Sequence, residues 1–193
     1  INVDEMSSEE IVEEYNRNIK NIIITKDGKV DENLLLDDLV SSEVKSTGQQ
    51  IYNFNNKEYL PIFISSNPSS LIIPISGKGL WSTLYGYIAL EKDFNTLKGI
   101  TFYQHGETPG LGGEVDKLWF QKNFIGKKIY DINDKFVSVE VVKGKVSDIY
   151  SGNKVNHAVD GISGATITSR GVSNFIKSDL GRYLNYFKEN KVN

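Results

Sequence analysis

Four small hydroxyl residues, Ser163, Thr166, Thr168 and Ser169, crowd one stretch of this 193-residue chain, DGISGATITSRGV at 160–172. A helix reads from near Thr168 onward, so the stretch sits at a helix N-terminus. The first amides there lack partners and the dipole end is positive. An anion is favoured at such a spot without any Lys or Arg. Gly164 and Ala165 are small enough for a bulky group to approach the backbone and a neighbouring hydroxyl. The same residues also suit a plain Ser/Thr helix cap that binds nothing. Local chemistry leaves both readings open.

Two further clusters combine glycines with groups that suit a ligand. HGETPGLGGEVD, 105–116, follows directly on a strand, and Gly112 and Gly113 allow a tight bend or a close backbone approach. ISGKGLWSTLYG, 75–86, sets Trp81 at a strand entrance, where it also suits a core position. Other chemistries are excluded or disfavoured. Val115 stands where a dinucleotide fingerprint needs its last glycine, and no G-K-[ST] phosphate loop or G-x-S-x-G elbow occurs. Zero cysteines exclude disulfides, thiolate metal sites and a cysteine nucleophile. His105 and His157 lack ligand-like spacing, so no metal site is expected. Glu114 and Asp116 alone do not make a glycosidase pair.

The elements that must position these clusters are legible in outline. SSEEIVEEYNRNI, 7–19, reads as a capped helix, and DENLLLDDLVSSEV as a short helix or turn. NIIIT, QQIYNF, EYLPIFI and SLIIPIS read as strands. TLYGYIALE and TLKGITFYQ flank a turn-like KDFN and suggest a hairpin, the first strand central and covered on both faces. VDKLWFQKNFIGK reads as a short helix ending at Gly126, and KFVSVEVVKG as another strand. Val172, Phe175, Ile176, Leu180, Tyr183, Leu184 and Phe187 mark one face of a single C-terminal helix. Strands and helices do not alternate regularly. The expected fold is α+β, a mostly antiparallel, strongly bent, half-barrel-like sheet flanked by helices. Residues 1–48 are expected as an N-terminal helical arm and 49–193 as the ligand-binding domain. Net charge is −3 with the signs interspersed, which argues against a nucleic-acid partner. No stretch reaches the ~18 apolar residues of a membrane span, and none reads as a signal peptide.

Together the three clusters resemble one family. PISGKGLWSTLYGYIALE, LKGITFYQHGETPGLGGEV and VDGISGATITSRGV are similar to the C-subunit of the sodium-translocating NADH:quinone oxidoreductase, in that family's order, over about residues 71–188. The resemblance implies a flavoprotein in which a threonine of a D-x-x-[ST]-G-A-T pattern carries FMN through a phosphoester. Here the pattern is Asp160, Ser163, Gly164, Ala165 and Thr166, with Thr166 the acceptor and Thr168 and Ser169 left as local caps. A Mg²⁺-dependent flavin transferase attaches the group from FAD. The isoalloxazine ring then needs noncovalent contacts. These are expected from Thr108, Leu111, Gly112 and Gly113, from Glu107 on a ribityl hydroxyl, and from Leu80 and Trp81 as an apolar wall.

The resemblance further implies an electron carrier that is not catalytic alone. It would relay electrons between other subunits of a sodium-pumping complex on the outer face of the cytoplasmic membrane. The family carries a transmembrane helix ahead of this domain. The chain opens on Ile1, so it is expected to be the soluble domain of a membrane-anchored subunit. Two alternatives stay open: the equivalent flavin subunit of the related ion-translocating ferredoxin:NAD oxidoreductase complex, and a non-redox extracytoplasmic binding or structural domain with Thr166 as a plain cap.

Overall fold

The computed structural model describes residues 5–191. In chain order the elements are α1 (Ser8–Asn18), β1 (Ile19–Thr25), β2 (Val40–Glu43), β3 (Gln50–Phe54), β4 (Lys57–Ser66), β5 (Ser69–Lys78), β6 (Thr83–Leu90) and β7 (Leu97–Gln104). There follow α2 (Leu118–Lys122), β8 (Glu140–Val141), α3 (Val146–Ile149), β9 (Ala158–Val159), α4 (Thr166–Arg182) and α5 (Leu184–Asn190). Seven strands form an open antiparallel sheet in the order β2-β3-β4-β5-β6-β7, with β1 paired to β4. β4 meets β3 at Lys57–Tyr59 and β5 at Phe63–Ser66, so one strand joins different neighbours at its two ends. The α+β class, the antiparallel sheet and the flanking helices are as the sequence predicts.

Local chemistry accounts for several of these elements. Ser7 caps α1 through a reciprocal pair: its hydroxyl accepts from the Glu10 amide, and its own amide donates to the Glu10 carboxylate. The β6–β7 hairpin forms, with Ile88 opposite Ile100. α4 lies against β5, and Val172, Phe175, Ile176 and Leu180 join Ile73, Ile75, Leu84 and Ile88 in the main core.

Four expectations are corrected. The segment 1–48 is not a helical arm throughout, since β1 and β2 belong to the sheet and Ile23 and Ile24 are buried in it; residues 1–4 lie outside the described residues. β6 is central but covered on one face only. Leu84, Ile88 and Leu90 are buried, whereas Tyr85 and Tyr87 sit on a half-exposed face beside Tyr103. KFVSVEVVKG yields only the two-residue β8, paired in parallel with β9, because Ser138 adopts a positive φ and breaks the extended run. The C-terminal helix divides at Tyr183 (φ −96, ψ −2). The buried Tyr183 hydroxyl there donates to the Pro61 carbonyl at 3.0 Å.

Candidate functional site

The hydroxyl-rich stretch ends in a turn that sets Thr166 as the first residue of α4. Gly164 takes φ +73, a left-handed conformation open to glycine, and the Ala165 amide closes the turn on the Ile162 carbonyl at 3.1 Å. The N-cap is therefore Ala165, which has no side-chain acceptor. The expected capping by Thr168 and Ser169 does not occur, since both lie inside the first helical turn and are buried. Nor does Thr166 cap the helix. Its side chain is exposed, and no hydrogen bond holds its hydroxyl among the described residues. Among the described residues the amides of Thr166, Ile167 and Thr168 also find no backbone acceptor. An exposed, unengaged hydroxyl thus lies beside free amides at the positive end of a 17-residue helix.

Glu107 joins the three clusters. It is 5% exposed. One carboxylate oxygen accepts from the Trp81 amide at 2.8 Å, the Ser82 amide at 3.0 Å and the Ser82 hydroxyl at 3.3 Å. The other accepts from the Leu80 amide at 3.2 Å and the Thr168 hydroxyl at 2.6 Å. Burial by itself would raise the pKa of this carboxyl. The Thr168 hydroxyl and the amides of Trp81, Ser82 and Leu80 outweigh it and hold the group below the ordinary carboxylate range. The sequence assigns Glu107 to a ribityl hydroxyl; in the fold both its oxygens are taken by protein donors. Gly112 packs against the same pair. A Cβ there would lie 2.6 Å from the Glu107 carboxylate and 2.7 Å from the Thr168 hydroxyl.

The remaining candidates fall into two groups. Leu80, Trp81, Leu111 and Ile167 keep 45%, 72%, 43% and 56% of their surface exposed, an unusual concentration of open apolar side chains. Leu111 leans on the Gly164 turn, where a Cβ would come within 2.7 Å of its methyl carbon. Ser163 and Thr108 both lie open to solvent. Gly112 and Gly113 are buried and serve the loop's own packing, the Gly113 amide donating to the Thr108 carbonyl at 2.9 Å. Asp160 is half-buried and accepts from the Val146 amide at 2.8 Å.

Sequence reasoning missed the other flank of Thr166. Two clefts, of about 450 and 340 Å³, share Thr166 and Ser169 in their lining. Lys143 also lines both, Lys145 the larger and Arg170 the smaller. Ser169 is 3% exposed and its hydroxyl has no partner among the described residues. Only the short KGK run after an apolar stretch marked these lysines in the sequence, and nothing local tied it to residue 166. Also unforeseen was Asp179, 1% exposed, which accepts from the Ser76 amide and the Gln49 side chain, each at 2.7 Å, and fastens α4 to the sheet.

This chemistry suits a flavin nucleotide. Free amides, an orphaned buried hydroxyl and three cations match a phosphate, and the open apolar rim matches a planar ring. Among the described residues, no helix is long and apolar enough to cross a membrane.

The chain is similar to known proteins in sequence and in fold. The FMN-binding domain family matches residues 79–180. The Na(+)-translocating NADH-quinone reductase C-subunit from Pseudomonas aeruginosa is 50% identical over 113 residues, covering 58% of this chain and 42% of that protein. Its counterpart from Chlamydia muridarum is 45% identical over 132 residues, covering 62% of this chain and 42% of that protein. The chain thus spans less than half the length of these curated relatives. The crystal structure of the same C-subunit from Parabacteroides distasonis superposes with a TM-score of 0.75 at 34% identity, covering 94% of this chain and 84% of that one. Shewanella oneidensis NqrC gives 0.73 at 32% identity, covering 99% and 91%.

Proposed function

The chain belongs to the FMN-binding domain family, and from that premise we propose that it carries FMN as a phosphoester on Thr166. In this reading it is the electron-carrying flavin subunit of a sodium-translocating NADH:quinone reductase. The observation that carries the reading is the state of Thr166: an exposed, unengaged hydroxyl at the first position of α4, beside three free amides. The names of the relatives support this complex over the related ferredoxin:NAD one.

FMN, when bound, supplies the redox chemistry, and the protein supplies position and electrostatics. The amides of Thr166, Ile167 and Thr168 and the dipole of α4 stabilise the phosphoester charge. The Ser169 hydroxyl offers a further donor beneath it. Leu80, Trp81, Leu111 and Ile167 form the apolar rim for the ring. Glu107 does not touch the cofactor. It ties the Leu80–Ser82 turn to Thr168 and so keeps the rim in register with the helix start. An ester bond makes retention independent of the ring contacts, which suits so open a rim. The partners are other subunits of the membrane complex and, during maturation, a flavin transferase. The domain works on the outer face of the cytoplasmic membrane.

The test is intact mass after co-production with a flavin transferase. Wild type gains one FMN minus water and keeps its yellow colour through acid precipitation. Thr166→Val gains nothing. Acid-stable colour on the Thr166→Val protein would overturn the assignment.

A further inference from the structure

Lys143 and Lys145 stand on a short loop between β8 and α3, and this loop is fastened to the residues just ahead of Thr166. The Val142 amide donates to the Val159 carbonyl at 3.0 Å, the Val146 amide to the Asp160 carboxylate at 2.8 Å, and the Gly161 amide to the Gly144 carbonyl at 2.8 Å. Gly161 has to be glycine for this fit, since a Cβ would lie 2.1 Å from the Val142 carbonyl oxygen. Asp160 and Gly161, the first two residues of the flavin motif, therefore hold a lysine loop against the acceptor threonine.

We propose that Lys143 and Lys145, with Arg170 from α4, grip the pyrophosphate of the incoming flavin dinucleotide during attachment. This rests on Thr166 being the acceptor. Three features of the site point the same way. Lys143, Lys145 and Arg170 pair with no carboxylate among the described residues. The hydroxyl of Ser169, a buried residue in the lining of both clefts, lacks any partner among the described residues. There are two clefts, both lined by Thr166, and Lys143 lines both. A pyrophosphate has two phosphates to place, one retained and one that departs. Two carboxylates, Glu140 and Asp160, also line the clefts, and Asp160 is engaged by the Val146 amide.

In the transfer, Thr166 Oγ1 attacks the phosphorus on the flavin side. The Oγ1–P bond forms and the bond from that phosphorus to the bridging oxygen breaks. AMP leaves with the bridging oxygen, the hydroxyl proton is released, and no oxidation state changes. The cations offset the charge that gathers on the departing phosphate.

Two measurements on the full chain test this. In the first, purified flavin transferase and FAD label wild type, the Lys143→Gln/Lys145→Gln double variant and Thr166→Val, and initial rates are read by intact mass. The double variant is expected to label about tenfold more slowly than wild type, the loss of one strong charge-assisted contact, while reaching the same final mass. In the second, the unlabelled Thr166→Val chain is titrated with inorganic pyrophosphate and followed by amide NMR. Shifts are expected at residues 143–145 and 166–168, and they vanish when the two lysine substitutions are added. Equal labelling rates, or pyrophosphate shifts that survive those substitutions, overturn the proposal. If wild type itself fails to label, the acceptor reading fails instead, and the pyrophosphate titration still decides the anion site. Both lysines are exposed, so the double variant keeps its fold, which the dispersion of the same spectra checks.

Discussion

The Thr168 hydroxyl donates to the Glu107 carboxylate across 2.6 Å in a place that solvent barely reaches. This bond spans 61 residues of chain and locks the start of α4 to the loop after β7. Replacing either partner leaves the other buried without its match, at about 1–3 kcal/mol each. Glu107→Gln and Thr168→Val are expected to lower the urea midpoint separately, and the double variant to lose less than their sum. Strict additivity in that cycle would show that the two side chains do not act together.

Two glycines of α4 should respond to alanine in opposite directions. At Gly171 a Cβ would sit 2.2 Å from the Lys78 carbonyl oxygen, so Gly171→Ala must push the helix off β5 and destabilise the fold by more than about 2 kcal/mol. At Gly181 nothing lies within 4 Å, and alanine relieves the entropy loss of a helical glycine, for a gain of about 0.5–1 kcal/mol. Thermal midpoints of the two variants on either side of wild type are the expected result.

Trp81 should matter to the ligand and not to the fold. With 72% of its surface exposed, Trp81→Ala is expected to change stability by less than about 0.5 kcal/mol. On flavin-bearing protein the same substitution should raise flavin fluorescence, because an indole against the ring quenches it. Unchanged emission with full flavin content would remove Trp81 from the rim.

Asp179 and Glu107 give stability opposite slopes with pH. Burial pushes Asp179 up to about 6, against the donors Ser76 and Gln49 and the nearby Arg182, from an ordinary 3.8. The folded chain then holds a proton that the unfolded chain releases, so this group adds stability as pH falls from about 6 towards 4 and removes it as pH rises. Asp179→Asn should flatten that rise. Glu107 is held below its ordinary 4.5, so its contribution is present above that value and is lost as pH falls through the lower folded value. Glu107→Gln should abolish that acid loss. Urea midpoints between about pH 3 and 7 separate the two effects.

What residues 160–172 meant was partly open to reading from order alone. The glycine turn, the helix after it and the strands of the β6–β7 hairpin follow from local rules: periods of 2 and 3.6, turn-forming residues, and hydroxyls near a helix start. These rules depend on neighbours within one or two turns, so the chain's order settled the α+β class and the place of Thr166 at the mouth of a helix. Its exact position there, one residue past Ala165, came from the backbone of the turn.

Tertiary structure alone decided where the polar groups went. Glu107 reads as a free carboxylate in its loop, yet the fold surrounds it with donors from residues 80–82 and 168. Lys143 and Lys145 look like ordinary surface charges until Asp160 and Gly161 draw their loop beside Thr166. Asp179 sits on a helix face whose burial depends on how closely β5 approaches. Whether a polar side chain ends in water or among partners depends on which surfaces meet across tens of residues, and no local pattern encodes that meeting.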